Sequence, residues 1–239
     1  MMRYAIFSDI HSNLEALETA VADAKARHVE RWVVLGDSIG YGANPNECFE
    51  WVLRNAAFSL MGNHEKAVLD LEIRERFAPL AREAILWTAE VMAMDFKKQT
   101  LNLPYMRIEN GLTFAHGSPA EPESFHYLLN FQEAEASFRC MEGSIGFVGH
   151  THIPCCFCES ERSADHLEPG ILNLKKGERY ILNPGSVGQP RDRDPRLAYG
   201  IFDSEAMTFE TVRLPYENEK AAGKIRKAGL PRYLADRLL

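Results

Sequence analysis

Seven side chains of types that commonly bind divalent metals occur in five short blocks of this 239-residue sequence. Each block follows an apolar run that is typical of a buried β-strand, at the point where the strand would enter a loop. Carboxylate, amide and imidazole groups hold divalent transition metals, and open α/β sheets bind their ligands where strands end. The seven residues are Asp9, His11, Asp37, Asn63, His116, His150 and His152.

These ligand types favour a pair of neighbouring metal ions. Two divalent cations about 3.5–4 Å apart need an anion between them, and Asp37 is the candidate for a bridging carboxylate. Four imidazoles favour a transition metal over Mg²⁺, which prefers oxygen ligands. We expect two such ions, with Mn first and Fe, Zn, Co or Ni as alternatives. The other ligands would divide into two sets, Asp9, His11 and His152 for one ion and Asn63, His116 and His150 for the other.

A dimetal site of this kind would hydrolyse phosphate esters. Metal binding lowers the pKa of water from 15.7 towards roughly 7, so a bridging hydroxide would be available as the nucleophile at neutral pH. Asp9, Asp37 and the hydroxide neutralise only part of the charge of two divalent cations, so the site stays positive and attracts a phosphate. His64 directly follows a candidate ligand and could protonate the leaving oxygen or orient the phosphate.

The elements that would position these side chains begin with alternating strands and helices. Residues 3–9, RWVVLGD and AAFSLMGN predict three buried strands. Ser12 and Glu15 predict a capping box for the first helix, and Pro45 should open a second helix over about residues 46–54. This order predicts a parallel sheet with right-handed crossovers.

The rest of the chain is richer in strands. PYMRIE and LTFAH predict a hairpin across Asn110–Gly111, and SIGFVGH predicts another buried strand. PCCFCES, RYILNPGS, LAYGIFD and MTFETVRL should build a second sheet that packs on the first. We expect a single domain over residues 1–239, with residues 217–239 as a C-terminal helical extension.

Three further helices are expected in the middle of the chain. The first should run from His64 to about Asp70, the second from Pro79 to about Lys98, and the third from Phe131 to Met141. GSPAEPESFHY lacks periodicity and predicts a loop over the site. The second helix would bury an apolar stripe of Leu80, Ala84, Trp87, Val91 and Met94.

The composition narrows the classes of partner. A net charge of −7 argues against a long nucleic acid, which requires a basic face, and leaves a small phosphate ester or nucleotide as the expected partner. No run is apolar enough for a signal peptide or a membrane span, so no membrane partner is expected. Five cysteines at irregular spacing favour a reduced, cytoplasmic protein.

The cysteines also include a cluster that could suggest a soft metal site. Cys155, Cys156 and Cys158 lack a second pair at zinc-ribbon spacing, and alternate residues of a strand face opposite sides. We therefore expect buried or edge-strand thiols.

Other residues with chemical potential have simpler interpretations. His28, His126 and His166 lie outside the five blocks and are expected on the surface or in loops; only His126 follows a ligand closely enough to reach the site. Tyr41 and Phe125 could stack on a base, although packing in the core or a lid is the simpler expectation.

Taken together, the five blocks resemble the signature blocks of the calcineurin-like metallophosphoesterases. In order they read DIH, GDSIG, GNHE, the lone histidine of FAHGS, and GHTH. NPGS at Asn183–Ser186, with GYGANPNEC and GSVGQPRDRDPR, resembles the small bacterial and archaeal branch, whose members are labelled phosphodiesterase-like or diadenosine-tetraphosphatase-like. The resemblance implies an α/β fold, a four-layer α/β/β/α sandwich of two mixed β-sheets flanked by helices. It also implies a dimetal centre at the strand ends, the ligand roles given above, and His64 as the catalytic histidine.

One segment departs from the family pattern. Protein serine/threonine phosphatases of this superfamily place an arginine shortly after the GD block, whereas this chain reads GDSIGYG, which argues against protein-phosphatase activity. Arg191, Arg193 or Arg196 could serve as the phosphate clamp instead, with Arg191 as the first choice for substrate binding.

Two functions therefore remain open. The first is hydrolysis of phosphodiester or phosphomonoester bonds, with a nucleotide-type substrate, by in-line attack of a metal-bridging hydroxide. The alternative is a non-enzymatic metal-binding scaffold or interaction module on the same fold. Strand edges and the C-terminal helices also leave a homodimer open.

Overall fold

The computed structural model of the chain describes residues 2–239. Its strands are β1 (Arg3–Phe7), β2 (Arg31–Val34), β3 (Phe58–Ser59), β4 (Met106–Glu109), β5 (Leu112–Ala115), β6 (Ile145–Phe147), β7 (Pro154–Cys158), β8 (Ser163–His166), β9 (Gly170–Asn173), β10 (Tyr180–Pro184), β11 (Leu197–Asp203) and β12 (Thr208–Leu214). Its helices are α1 (Leu14–Ala26), α2 (Pro45–Asn55), α3 (Asn63–Leu69), α4 (Leu71–Glu75), α5 (Pro79–Val91), α6 (Met94–Thr100), α7 (Phe131–Cys140), α8 (Asn218–Lys227) and α9 (Arg232–Asp236).

The strands form two mixed sheets. The first has the order β3-β2-β1-β11-β12-β9, and the second has the order β4-β5-β6-β10-β7-β8. In the first sheet, β3, β2 and β1 run parallel, and β11, β12 and β9 each pair antiparallel with the neighbour before them. In the second sheet, β5, β6 and β10 run parallel, while β4, β7 and β8 pair antiparallel. The second sheet thus has a parallel centre with antiparallel strands on both sides, whereas the parallel strands of the first sheet lie at one edge.

The sheets pack face to face and are covered by helices. Their facing surfaces share a core that includes Ile6, Val33, Phe114, Phe147 and Leu182. Side chains of α1 and α2 pack on the outer face of the first sheet, and α7 packs on the outer face of the second. This is the four-layer α/β/β/α sandwich that the family resemblance implies.

Strand β1 shows how the sequence produces these layers. Successive side chains of a strand point to opposite faces, so Tyr4 and Ile6 enter the core between the sheets. Ala5 and Phe7 lie in the core under α1 instead. A continuous apolar run is therefore required, because both faces of the strand are buried.

The first helix begins differently from its prediction. Asn13, rather than Ser12, is the N-cap of α1, and its side-chain oxygen accepts a hydrogen bond from the amide of Ala16 at 3.2 Å. Glu15 forms an ion pair with Lys224 of α8 at 2.6 Å. The predicted capping box was therefore wrong, because a better-placed cap follows Ser12 and Glu15 is engaged elsewhere.

The long helix predicted from Pro79 to about Lys98 is two helices. Met92 and Ala93 have extended backbones and separate α5 from α6. Met92 is buried, whereas Met94 is 62% exposed and Leu80 is 43% exposed. The predicted apolar stripe was therefore wrong in part: Ala84 is buried as predicted and Trp87 packs against the same core, but Ile85 and Thr88 are buried in place of the other three.

The late strands do not all belong to one sheet. β7 and β10 lie in the second sheet as predicted, but β11 and β12 belong to the first, where β11 pairs with β1. β5 and β6 complete the centre of the second sheet, and the unpredicted β8 and β9 form an edge of each sheet. An apolar pattern shows that a strand is buried but not which strand it pairs with, so this prediction was wrong in part.

The C-terminal segment is helical. α8 and α9 contribute Ala222, Ile225 and Leu234 to a small core that also contains Ala84 of α5. The predicted hairpin across Asn110–Gly111 forms between β4 and β5. Throughout residues 2–239, no helix has the length and apolar character that crossing a membrane requires. A single domain with a helical extension stays a prediction.

Candidate metal centre

The five predicted blocks meet at one edge of the paired sheets. Asp9 follows β1, Asp37 follows β2, and His116 follows β5, while Asn63 and His150 come after β3 and β6. These strands are the parallel ones, so their carboxyl ends lie together. Three groups each have ligand-type atoms within 4.8 Å of one another: Asp9, His11 and His152; His11, Asp37 and His64; and Asp37, His116 and His150.

Asp37 connects the groups. Its Oδ2 lies 3.3 Å from Nε2 of His116 and 3.8 Å from Nε2 of His11. Asn63 belongs with His116, because its Oδ1 lies 3.2 Å from Nε2 of that imidazole. The structure thus brings all seven candidate ligands together as two sets that share Asp37.

Backbone carbonyls fix the orientation of three imidazoles. In each, Nδ1 lies 2.6–3.1 Å from a carbonyl oxygen, which belongs to Ile39 for His11, Leu35 for His116 and Gln189 for His152. A carbonyl only accepts, so Nδ1 carries the proton and Nε2 of the neutral ring keeps a lone pair. All three lone pairs are therefore directed into the cluster.

In the cluster these lone pairs face other acceptors. Nε2 of His11 lies 3.1 Å from Nε2 of His152, which in turn lies 3.2 Å from Oδ1 of Asp9. Nε2 of His116 lies 3.1 Å from Nδ1 of His150. Oδ1 of Asp9 is buried and accepts no hydrogen bond from the part of the chain that is described. Opposed lone pairs repel unless a cation or a proton lies between them, so this donor set fits divalent transition-metal ions.

Burial and charge set the protonation of the imidazoles in the metal-free protein. Burial lowers the pKa of His150 to about 3 and that of His64 to about 4. Burial also acts to lower the pKa of His116, but the neighbouring Asp37 carboxylate raises it to about 9. A proton on His116 thus supplies positive charge beside Asp37 when no metal does, while the other two imidazoles stay in the neutral form that binds metals.

The backbone of the cluster is unusual. A positive φ is uncommon for residues other than glycine, and holding one costs on the order of 1–3 kcal/mol unless the surroundings enforce it. Such strain is found mostly at functional sites. Five candidate ligands have it: Asp9 (54°), His11 (49°), Asp37 (52°), His150 (67°) and His152 (63°).

Two glycines allow the blocks to approach one another. A β-carbon at Gly62 would collide with the carboxylate of Asp37, and one at Gly149 would collide with the hydroxyl of Ser8. Both glycines directly precede a candidate ligand. Their presence in GNHE and GHTH is therefore a requirement of close packing between loops.

Glu65 holds two of the blocks in place. Its carboxylate accepts hydrogen bonds from the amides of Asp37 (2.8 Å), Ser38 (2.6 Å) and Gly62 (3.1 Å). The residue is fully buried, and burial together with the charge of Asp37 raises its pKa to about 7. No role for Glu65 was predicted from the sequence, although an acidic residue in the GNHE block, next to apolar runs, was the available signal.

The NPGS segment supports the same edge. Asn183 donates from Nδ2 to the carbonyl of Gly149 at 2.8 Å and to the hydroxyl of Thr151 at 3.0 Å. Ser186 donates from Oγ to the carbonyl of Asp9 at 2.8 Å. The segment therefore anchors the loops that carry Asp9 and His150.

An open cleft of about 690 Å³ reaches the cluster at Asn63 and His150. Tyr127 stacks on the ring of His150, with centroids 4.0 Å apart and planes 10° apart. Phe77 contacts the ring of His64 edge-on at 5.0 Å. Both aromatics line the cleft, and both lie in segments without periodic pattern, so the sequence carried no signal for them.

Of the three arginines considered as a phosphate clamp, Arg191 lines this cleft. Its guanidinium lies 5.9 Å from the ring centroid of Tyr41, and its Nε makes no hydrogen bond to the described residues. Arg196 is paired with Asp194 at 2.7 Å, and Arg193 is exposed away from the cleft lining. The structure thus favours Arg191 among the three, and its role in substrate binding stays a prediction.

The remaining expectations concern residues outside the cluster. His28, His126 and His166 are exposed, as expected of surface histidines, and His126 lies 3.1 Å from Glu121 rather than in the cluster. Phe125 is buried with its ring 6.0 Å from that of His116. Tyr41 packs against His11 and His64, at 4.6 Å and 4.4 Å between ring centroids, and also lines the cleft.

The cysteine cluster is buried and divided between two cores. Cys155 lies in the core under α7, whereas Cys156 and Cys158 lie in the core between the sheets. Burial raises the pKa of Cys155 and Cys156 to about 12. The expectation of buried thiols is confirmed.

Comparisons with known proteins identify the family to which the chain is similar. Residues 2–207 match the model of the calcineurin-like phosphoesterase superfamily domain. "Uncharacterized protein MJ0912" of Methanocaldococcus jannaschii is 40% identical over an alignment of 239 positions. The alignment covers 98% of this chain and 96% of the relative.

Two solved structures extend the comparison to the fold. The crystal structure of a metallophosphoesterase from Sphaerobacter thermophilus is 38% identical and superposes with a TM-score of 0.90, covering 99% of this chain and 98% of the other. Hypothetical protein PH1004 from Pyrococcus horikoshii OT3 is 17% identical with a TM-score of 0.80, covering 100% and 98% of the two chains, and shows the fold alone. By its family match and its architecture, the chain belongs to the calcineurin-like phosphoesterase superfamily, a dimetal-dependent family.

Proposed function

We propose that the chain is a dimetal-dependent phosphoesterase that hydrolyses phosphodiester or phosphomonoester bonds of a nucleotide-type substrate by in-line attack of hydroxide. The observation that carries the proposal is the buried set of acceptors that face one another at the strand ends. Nε2 of His11, Nε2 of His152 and Oδ1 of Asp9 lie within 3.1–3.7 Å of one another without a donor between them. Such a set is stable only around positive charge.

The ligand assignment follows from the two sets of side chains. Asp37 lies between the sets and would contact both ions. When bound, the ions supply hydroxide at neutral pH and neutralise charge on the phosphoryl oxygens. We assign Asp9, His11 and His152 to one ion and Asn63, His116 and His150 to the other.

His64 is the residue placed to assist the leaving group. Its Nε2 lies 4.0 Å from Oδ2 of Asp37, and its Nδ1 has no hydrogen-bond partner within residues 2–239. Burial keeps its pKa near 4 in the metal-free protein, and the negative charge of an arriving phosphate acts to raise it. His64 would then hold a proton beside the leaving oxygen and donate it as the bond breaks.

The cleft residues would bind the substrate's phosphate and its organic group. Arg191 lines the cleft and donates from Nη2 to Oε1 of Gln189 at 3.3 Å. An arriving phosphoryl oxygen could take the place of that acceptor. Tyr127 offers an exposed aromatic face next to His150, which suits a base or another planar group. Manganese, a small phosphate ester or nucleotide as partner, a cytoplasmic location and a homodimer belong to the same proposal.

The test measures metal content and hydrolysis on one preparation. Metal-free protein is reloaded separately with Mn²⁺, Fe²⁺, Zn²⁺, Co²⁺ and Ni²⁺, and the bound metal is counted per chain by mass spectrometry. Each sample is then assayed with bis-p-nitrophenyl phosphate, p-nitrophenyl phosphate and diadenosine tetraphosphate. We expect two ions per chain and turnover of at least one substrate, fastest with Mn²⁺.

Two results would count against the proposal in different ways. Two bound ions without turnover of any substrate would favour the non-enzymatic scaffold. Turnover that survives complete removal of metal would contradict the assigned chemistry. Protein with Asp37→Asn serves as the control for contaminating phosphatases.

A further inference from the structure

The cleft extends beyond the metal cluster to a second wall. One part of that wall contains Arg76, which follows α4, and Leu80 in the first turn of α5. The other part contains Tyr233 of α9 and Arg237, which directly follows α9. Neither segment contributes to the five ligand blocks.

The cleft carries positive charge in an acidic protein. Three arginines line it, Arg76, Arg191 and Arg237, against one carboxylate, that of Glu123. The whole chain has a net charge of −7, so this concentration of guanidinium groups is local. A cleft lined by one sign of charge attracts ligands of the opposite sign.

These three arginines also differ from most others in their pairing. Many arginines of the chain form ion pairs with carboxylates, among them Arg27, Arg31, Arg82, Arg162, Arg196, Arg213 and Arg226. Within residues 2–239, no carboxylate lies at ion-pair distance from Arg76, Arg191 or Arg237. The N–H donors of Arg76 and Arg237 are therefore available to a ligand, whereas Arg191 donates from Nη2 to Oε1 of Gln189 at 3.3 Å.

Arg237 is exposed and lies against an aromatic ring. Its guanidinium lies 5.3 Å from the ring centroid of Tyr233, one turn earlier on α9, and Tyr233 is half exposed. Stacking on an aromatic ring restrains a guanidinium without using its N–H groups. Arg76 is exposed at the end of α4 on the neighbouring part of the wall.

We propose that Arg76 and Arg237 form a second anion-binding subsite that takes another phosphate group of the same small substrate. The inference deepens the proposed function and rests on it, because the first phosphate is the one held by the metal cluster and Arg191. It specifies the substrate class as a nucleotide with more than one phosphate. Half-exposed Tyr127 and Tyr233 in the same cleft provide faces for its planar groups.

The test compares how two ligands compete with a substrate that has a single phosphorus. Hydrolysis of bis-p-nitrophenyl phosphate by the manganese-loaded protein is inhibited with diadenosine tetraphosphate or with adenosine monophosphate, at constant free Mn²⁺. A competing ligand gives an inhibition constant whether or not it is itself hydrolysed. We expect Arg76→Gln and Arg237→Gln each to raise the constant for diadenosine tetraphosphate about tenfold.

Three comparisons make the result specific. Adenosine monophosphate, with one phosphate, should change less than about twofold in both variants, and so should kcat/KM for bis-p-nitrophenyl phosphate. Arg139→Gln on α7 removes one exposed arginine that is outside the cleft and should leave every constant unchanged. Equal weakening of both ligands, or none, would overturn the subsite.

The outcome also separates this inference from the proposed function. Normal hydrolysis of bis-p-nitrophenyl phosphate with unaltered inhibition in both variants would refute the subsite alone. If the wild-type protein hydrolyses nothing, the proposed function fails, and calorimetric titration of the same variants with diadenosine tetraphosphate still measures the subsite. Tenfold weaker binding by the variants than by the wild-type protein in that titration would support the subsite, and equal binding would refute it.

Discussion

Two groups of metal-binding residue types occur in this molecule, and only one of them converges. The strand-end group brings carboxylates and imidazoles from distant blocks into three groups of three, and the ligand-type atoms of each group lie within 4.8 Å of one another. The cysteine group is contiguous in sequence, yet Cys155 and Cys156 lie in separate cores. The difference follows from geometry, since parallel strands end at one edge whereas successive residues of one strand diverge. Closeness in sequence is therefore a poor guide to a metal site in a sheet.

The largest expected effect comes from substituting one member of each group and comparing the two variants. Asp37→Asn should lower kcat/KM by more than about a thousandfold, because in the proposed mechanism several kcal/mol of charge stabilisation come from two metals that Asp37 would bridge. Cys156→Ala should retain activity within about threefold, since it replaces one small buried apolar group by another. Metal analysis should find fewer than two ions per chain in the first variant and two in the second. Two ions in Asp37→Asn would refute the bridging role.

A second variant separates catalysis from metal binding within the strand-end group. His64→Ala should keep both ions and lower turnover at least about a hundredfold, as expected for loss of a general acid. The loss should be larger for a substrate with an alkoxide leaving group than for a p-nitrophenyl ester, because a good leaving group needs less protonation. Equal losses on both substrates would point to phosphate orientation instead. The unchanged ion count serves as the internal control.

Lowering the pH should destabilise the metal-free protein, because several of its imidazoles are buried. The pKa values of His11, His64, His150 and His152 are all lowered by burial, so below about 6.5 the unfolded state binds protons that the folded state does not. The free energy of unfolding should therefore fall as pH drops from 6.5 towards 4. We expect a slope steeper than the about 1.4 kcal/mol per pH unit that one proton gives. Urea denaturation of metal-free protein measures it.

His116 should act in the opposite sense. Its folded pKa of about 9 exceeds the unfolded value, so its contribution is complete below about 6.5 and is lost as pH rises to 9. The metal-free protein should therefore be most stable near pH 6.5. His116→Gln should remove the alkaline decline and leave the acid decline in place; an alkaline decline that persists would assign it to another group.

The smallest effect is expected at the cysteines. Cys140 is exposed, whereas the other four are buried, and a thiol with a pKa of about 12 has almost no thiolate at neutral pH. Alkylation at pH 7.5 should modify one cysteine per chain quickly and all five after denaturation. Rapid labelling of Cys156 would show that its strand opens, and the contrast between the two groups would weaken.

More of the candidate site than of the fold could be predicted from the sequence. Asp9, Asp37 and His150 are recognisable because each follows an apolar run directly, and that local rule suffices to place them at a strand end. The pairing of β11 with β1 could not be derived, because long-range pairing depends on surfaces that a local pattern does not describe. Met94 was misplaced for a different reason, because the extended backbones of Met92 and Ala93 end one helix and start another.

The residues that form the walls of the cleft could not be predicted from the sequence. Tyr127 and Arg237 line the same cleft, although they come from segments more than a hundred residues apart. Neither lies in a block with a recognisable ligand pattern. Their contribution depends on how α9 docks against the sandwich, which only the folded chain shows.

The left-handed backbone at the cluster limits how the site could be redesigned. Aspartate, histidine and asparagine are the residues other than glycine that tolerate this conformation best, and they are also good ligands for manganese and zinc. At Asp9, His11, Asp37, His150 and His152 the loop shape and the coordination chemistry therefore select the same amino acids. Exchanging the metal preference by introducing glutamate or a β-branched residue would disturb the loops as well as the ligand set, so engineering is better directed at the cleft walls.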